Sequence, residues 1–76
     1  MNDILKAALV EVLGLESAEI IAELSAVDVE AWDSIGHLNL IMRIEEAFDI
    51  RFETSEIPEL NSTVAIQARL HAAGKI

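Results

Sequence analysis

The sequence predicts an all-α fold, a small bundle of three main helices plus one short helix. Three observations lead there. Apolar residues recur at three- and four-residue intervals in the early and middle parts of the chain. No run of valine, isoleucine or aromatic residues alternates with polar ones in the manner of a strand. Glycine and proline are scarce, three and one in 76 residues, so little interrupts a helix. No internal repeat or low-complexity segment divides residues 1–76, which read as a single domain. A chain this short buries only about 60% of the surface its unfolded form exposes. With no cysteine, neither a disulfide nor a thiolate zinc site can supplement the core, and the 53% hydrophobic content must do so by packing.

The first helix begins at Asn2 or Asp3, either able to cap free amides. Ile4, Leu5, Ala8, Leu9, Val12 and Leu13 form its apolar stripe, and Gly14 is a natural stop. From Leu15 to Trp32 the periodicity weakens. Ser17 offers a cap, but Ile20 stands where a capping box needs glutamate or glutamine, so any helical turn there is short. This stretch reads as a long connection anchored by Leu15, Ile20, Ile21, Leu24 and Val27, and connections of such length are often functional.

The second helix is the clearest. Asp33 and Ser34 offer capping side chains, and Ile35, Leu38, Ile41, Met42, Ile44 and Phe48 follow. Its apolar sector spans more than half the circumference, more than one face of a small bundle needs, so part of it should be exposed or meet a partner or bound chain. Leu38, Ile41, Ile44 and Phe48 are the expected core residues. A short turn near Ser55 to Leu60, interrupted by Pro58, is the expected minor helical element. The last helix starts at Asn61 or Ser62 and runs to about Ala73, in a register that Val64, Ile66, Ala68 and Leu70 leave ambiguous.

Fourteen acids against five bases give a net charge of −9. Such a chain is a poor ligand for nucleic acid, whose binding rests on neutralised phosphates, and for an anionic membrane surface. Asp3, Lys6 and Glu11 interrupt any secretory apolar region, and the longest apolar-dominated stretch, Leu38 to Ile44, is far too short for a membrane span. A cytoplasmic, monomeric protein without stable membrane insertion is expected. Six acids lie between Glu45 and Glu59, opposed only by Arg51. They read either as a solvated face or as a docking surface for basic partners. Glu45, Glu46 and Asp49 share their helix with the surplus apolar face, which favours docking.

The segment Trp32-Asp33-Ser34-Ile35-Gly36-His37-Leu38 carries the chemistry. A serine opening a helix after a long loop is reachable, and the helix N-terminus favours a phosphate on its oxygen. Asp33 beside it could bind a divalent cation held by a modifying enzyme. Taken alone, Asp-Ser before a helix is an ordinary N-cap.

The longer pattern WDSIGHLNLIMRIEEAFDIRF, Trp32 to Phe52, resembles the acyl carrier protein family. Asp33-Ser34-Ile35 stands as the attachment motif and Ile44-Glu45-Glu46-Ala47-Phe48 as the acidic end of its helix, and the order of elements covers the whole chain. The resemblance implies that Ser34 carries 4'-phosphopantetheine, transferred from coenzyme A by a phosphopantetheinyl transferase, with magnesium entering only through that enzyme. The arm's thiol would carry acyl groups as thioesters between enzymes of fatty-acid, polyketide or related lipid biosynthesis, the carrier itself being no enzyme. Ile35 and Leu38 would contact the arm or acyl chain. Met42, Glu45, Glu46 and Asp49 would dock acyl-activating, condensing or acyl-transfer enzymes through basic patches. Trp32 stands where fatty-acid carriers usually have a small residue and His37 where they usually have a small polar or acidic one, so the WDSxxH form looks more like specialised free-standing carriers. D-alanyl carriers share the layout, whereas the Gly-Gly-x-Ser form of peptidyl carriers is absent.

Two other classes compete. Ser34 and His37, three residues apart on a helix, are the start of a serine hydrolase, but His37 has no evident orienting carboxylate and the chain little room for an oxyanion hole. Set against the hydrolase, His37 reads as an exposed or partner-facing residue. An unmodified acidic interaction module would use the same helix. No calcium-type loop or other metal motif occurs in the sequence.

Overall fold

The computed structural model describes residues 1–20 and 23–76. Three α-helices carry the fold, α1 (Asp3–Leu13), α2 (Ser34–Phe48) and α3 (Thr63–Ala72). Short 3-10 turns lie between them at Ser17–Glu19, Ala26–Asp28 and Ile57–Glu59. The protein is thus an all-α bundle. The expected minor element is the single 3-10 turn Ile57–Glu59. Pro58 stands in its first turn, where the missing N–H costs nothing, and the backbone has left helical geometry by Leu60 (ψ 45°).

Local chemistry fixes the helix ends. The Asn2 side chain, rather than Asp3, accepts from the Ile4 and Leu5 N–H groups at 2.9 and 3.2 Å. Gly14 ends α1 in the left-handed region (φ 67°), where its N–H reaches the Val10 carbonyl. Ser62 caps α3 by accepting from the Ala65 N–H at 3.1 Å. The long connection is better ordered than its composition indicated. Glu16 and Glu19 form a capping box one residue before Ser17, and Ser25 and Asp28 form another around the second turn.

The core gathers Leu5, Ala8, Leu9 and Leu13 from α1, Leu40, Ile41, Ile44 and Phe48 from α2, and Ile66 and Leu70 from α3. Ile20, Val29, Trp32, Phe52 and Leu60 close it from the connections. Each buried leucine, isoleucine, valine or phenylalanine among them contributes roughly 1.5–3 kcal/mol by leaving water. Several expectations need correction. Leu38 is exposed and Leu40 takes its place in the core. Ile4 points outward, and Val27, expected as a loop anchor, is 94% exposed. Leu15 and Leu24 pack against the core while Ile20 lies within it; Ile21 falls outside the described residues. The register of α3 is set by Thr63, Ile66 and Leu70, leaving Val64 exposed.

Backbone bonds stitch the connection before α2 to the segment before α3. The Thr63 N–H donates to the Leu24 carbonyl at 2.7 Å, and the Ala26 N–H donates to the Asn61 carbonyl at 2.9 Å. The fully buried Thr63 Oγ1 also accepts from the Leu24 N–H at 2.9 Å. These bonds hold the two strips of chain together beside the start of α2.

Candidate functional site

Trp32, Asp33 and Ser34 bring the chain from the connection into α2. Asp33 is the N-cap, its Oδ1 accepting from the Gly36 N–H at 2.8 Å while its carbonyl accepts from the His37 N–H at 2.7 Å. That division of labour matters for Ser34. The serine occupies the first helical position, is exposed, and its hydroxyl makes no hydrogen bond with the described residues. The capping explanation of the Asp-Ser pair therefore accounts for Asp33 and leaves the Ser34 oxygen unused.

Gly36 explains how closely the turn before Ser34 folds onto α2. A Cβ there would lie 2.1 Å from the Ala31 carbonyl oxygen, well inside any real contact. Only glycine lets the Ala31 carbonyl rest against the first turn of the helix.

Beside Ser34 lies a shallow cavity of about 330 Å³, bounded by Trp32, Asp33 and His37 on one side and Ala26, Pro58 and Asn61 on the other. His37 departs from expectation. It is half-buried, taking the Trp32 indole N–H on Nδ1 at 2.9 Å and lying 2.7 Å from the Ile57 carbonyl oxygen through Nε2. Both ring nitrogens are committed, so neither is left to take a proton from Ser34, as a hydrolase would require. Once packing has placed Ile41 and Ile44 in the core, the spacing accounts for the inward position of His37, which stands four and seven residues before them on the same side of α2.

The opposite face of α2 is apolar and open. Ile35, Leu38 and Met42 are 72%, 54% and 58% exposed and follow one another at helical spacing. Glu46 and Asp49 continue that line, and both are exposed. Met42, Glu45, Glu46 and Asp49 border a groove of about 480 Å³ with Ile50 and Arg51. Ser34 and Glu46 are about 18 Å apart along the helix axis, at 1.5 Å per residue. The structure thus sets the serine and the acids at two ends of one apolar stripe.

The acids are not equivalent. Glu45 is half-buried and accepts from the Phe52 N–H at 2.9 Å, turning the chain after α2. Asp49 ends the helix in the left-handed region (φ 51°). Glu46 has no such structural bond among the described residues. Arg43, a base in an otherwise acidic helix, faces α1 and donates to Glu11 at 2.8 Å. The hydrogen bond and charge of Glu11 raise the guanidinium above its ordinary pKa. Its charge is matched there rather than on the exposed stripe.

No protein-family model matches the chain, and no solved structure matches it at a significant level.

Among the described residues, no group of three or more histidine, aspartate or glutamate side chains gathers to hold a metal ion. No helix among them is long and apolar enough to cross a membrane.

Proposed function

We propose that the protein is a carrier whose Ser34 is esterified by 4'-phosphopantetheine from coenzyme A. One observation carries the reading: Ser34 opens α2 with an exposed hydroxyl that the fold does not use, because Asp33 does the capping. The residues present fit such a group. The helix N-terminus places partial positive charge beside the serine oxygen, which favours a phosphate there. The second oxygen of Asp33 makes no hydrogen bond with the described residues and is free to meet a magnesium ion held by the transferase. When bound, the group supplies the thiol that this cysteine-free chain lacks, and hence thioester chemistry.

In the modification, the Ser34 Oγ–H bond breaks as Oγ bonds to the phosphorus of the pantetheine phosphate. The pyrophosphate bond of coenzyme A breaks with it, 3',5'-adenosine bisphosphate leaves, and the serine proton passes to a base on the transferase. Ile35, Leu38 and Met42 form the apolar surface that partners or the arm would cover. Glu46 and Asp49, with Glu45 partly withdrawn, would steer basic patches of acyl-activating, condensing or acyl-transfer enzymes, affecting encounter more than final affinity. Fatty-acid, polyketide and D-alanyl cargo are all compatible with this surface.

Intact mass after incubation with coenzyme A, magnesium and a transferase tests the reading. A gain of one phosphopantetheine, abolished in Ser34→Ala, is the expected result. Unchanged mass of the wild-type chain across several transferases refutes it.

A further inference from the structure

Trp32 and His37 are joined in the folded chain, and the chemistry of the join leaves little freedom. The Trp32 indole, almost wholly buried, donates Nε1–H to His37 Nδ1 at 2.9 Å. His37 Nε2 lies 2.7 Å from the Ile57 carbonyl oxygen. An indole nitrogen can only donate and a carbonyl oxygen can only accept. The neutral ring protonated at Nε2 is therefore the one form that makes both bonds. Ring planes 22° apart with centroids at 6.3 Å fit an edge-to-edge hydrogen bond rather than face-to-face overlap.

The imidazole ties the residue two before α2, and the turn twenty residues further on, to the first turn of the helix. Trp32 belongs to the connection just before α2, His37 to α2, and Ile57 to the turn Ile57–Glu59, whose Pro58 lines the cavity beside Ser34. We propose that His37 is a positioning residue for chemistry at Ser34, an inference resting on the reading that Ser34 is the modified residue. By bridging Trp32 to Ile57, it fixes both walls of the cavity relative to α2. An enzyme acting on Ser34 then meets a rim already in place.

Ser34 itself is held independently, because the Asp33–Gly36 cap orders the first turn without help from His37. Loss of the bridge accordingly falls on recognition of the carrier rather than on the reactivity of Oγ. Re-ordering a loosened rim on association raises KM about tenfold and leaves kcat within about twofold.

The test is steady-state transfer of phosphopantetheine from coenzyme A to the full chain, with circular dichroism melts confirming that each variant is folded at the assay temperature. His37→Ala and Trp32→Phe should each raise KM about tenfold at near-constant kcat. Trp32→Phe keeps an aromatic ring in the core and removes the donor together with part of the buried indole volume, a loss of packing that the melts register. His37→Asn, whose amide oxygen can replace Nδ1 as acceptor, should recover part of the loss. The ¹⁵N spectrum of the wild-type chain should show His37 as the neutral Nε2–H tautomer with a slowly exchanging indole N–H. Unchanged KM in His37→Ala and Trp32→Phe, a loss confined to kcat, or the Nδ1–H tautomer would each overturn the proposal. A wild-type chain that accepts no phosphopantetheine overturns the functional reading instead, and it is distinguishable because wild type and Trp32→Phe are then equally inert.

Discussion

Gly36→Ala sets two opposing effects against each other. Alanine is the better helix former, by up to about 1 kcal/mol at an interior position. Its Cβ, however, would fall 2.1 Å from the Ala31 carbonyl oxygen, where contacts essentially never come closer than 3.0 Å. The obstacle is backbone, not the end of a flexible side chain, so the turn before Trp32 must move by nearly an ångström. That turn is closed by the Trp32 N–H on the Val29 carbonyl at 3.0 Å, and both Val29 and Trp32 are core residues. Overpacking of this kind costs about 1–3 kcal/mol. The new methyl also lies 3.2 Å from Asp33 Oδ1 and strains the cap, itself worth about 1 kcal/mol. The steric terms win, for a net loss of about 2 kcal/mol once the helix gain is subtracted. In a domain of this size that lowers Tm by roughly 8–16 °C. Thermal and urea melts followed by circular dichroism measure it. A Gly36→Ala protein with unchanged or higher Tm would show that propensity dominates and that the approach of Ala31 to α2 is not as described.

Three further outcomes follow from the same contacts. Thr63→Val preserves shape but leaves the Leu24 N–H without the Thr63 oxygen, so stability should fall by about 1–3 kcal/mol with faster hydrogen exchange at Leu24; a neutral substitution would show that the stitch between connection and α3 is dispensable. Ser34→Ala should melt within about 0.5 kcal/mol of wild type, whereas Asp33→Ala should lose about 1 kcal/mol, and the reverse order would return the capping role to the serine. Glu56 accepts from Arg69 Nε at 2.6 Å and from the Glu53 N–H at 2.8 Å, and these bonds, the arginine's first, hold its carboxyl below the ordinary carboxylate range. A pKa lowered by folding gives stability that is complete above the unfolded-state value and fades as pH falls through the lower folded-state value. Glu56→Gln should thus be less stable than wild type at neutral pH, with the gap closing on acidification, and a gap independent of pH in denaturant melts would refute the assignment.

The three helices were legible because their signals are local. Asn2 and Gly14 bound α1, Asp33 opens α2 and Ser62 opens α3 through bonds reaching no further than four residues. The Asp-Ser pair and the excess of apolar positions on α2 were equally visible. Rotational phase was not. With more than half the circumference of α2 apolar, sequence alone could not choose between Leu38 and Leu40 for the core, and packing on α1 and α3 decided it. Val27 was misplaced for a related reason, since a connection without periodicity gives no direction to its side chains.

What the sequence by itself determined was the helical class, the helix boundaries and the serine at the head of α2, because each depends on neighbours along the chain. The structure settled that Asp33 rather than Ser34 caps α2, a choice between adjacent residues that the sequence left open and a bond spanning three residues made. Only the tertiary structure withdrew part of Glu45 into a bond with Phe52 and matched Arg43 with Glu11 across 32 residues. It also turned His37 from an expected surface residue into the bridge between Trp32 and Ile57, because hydrogen bonds between distant segments exist only once the core has brought those segments together.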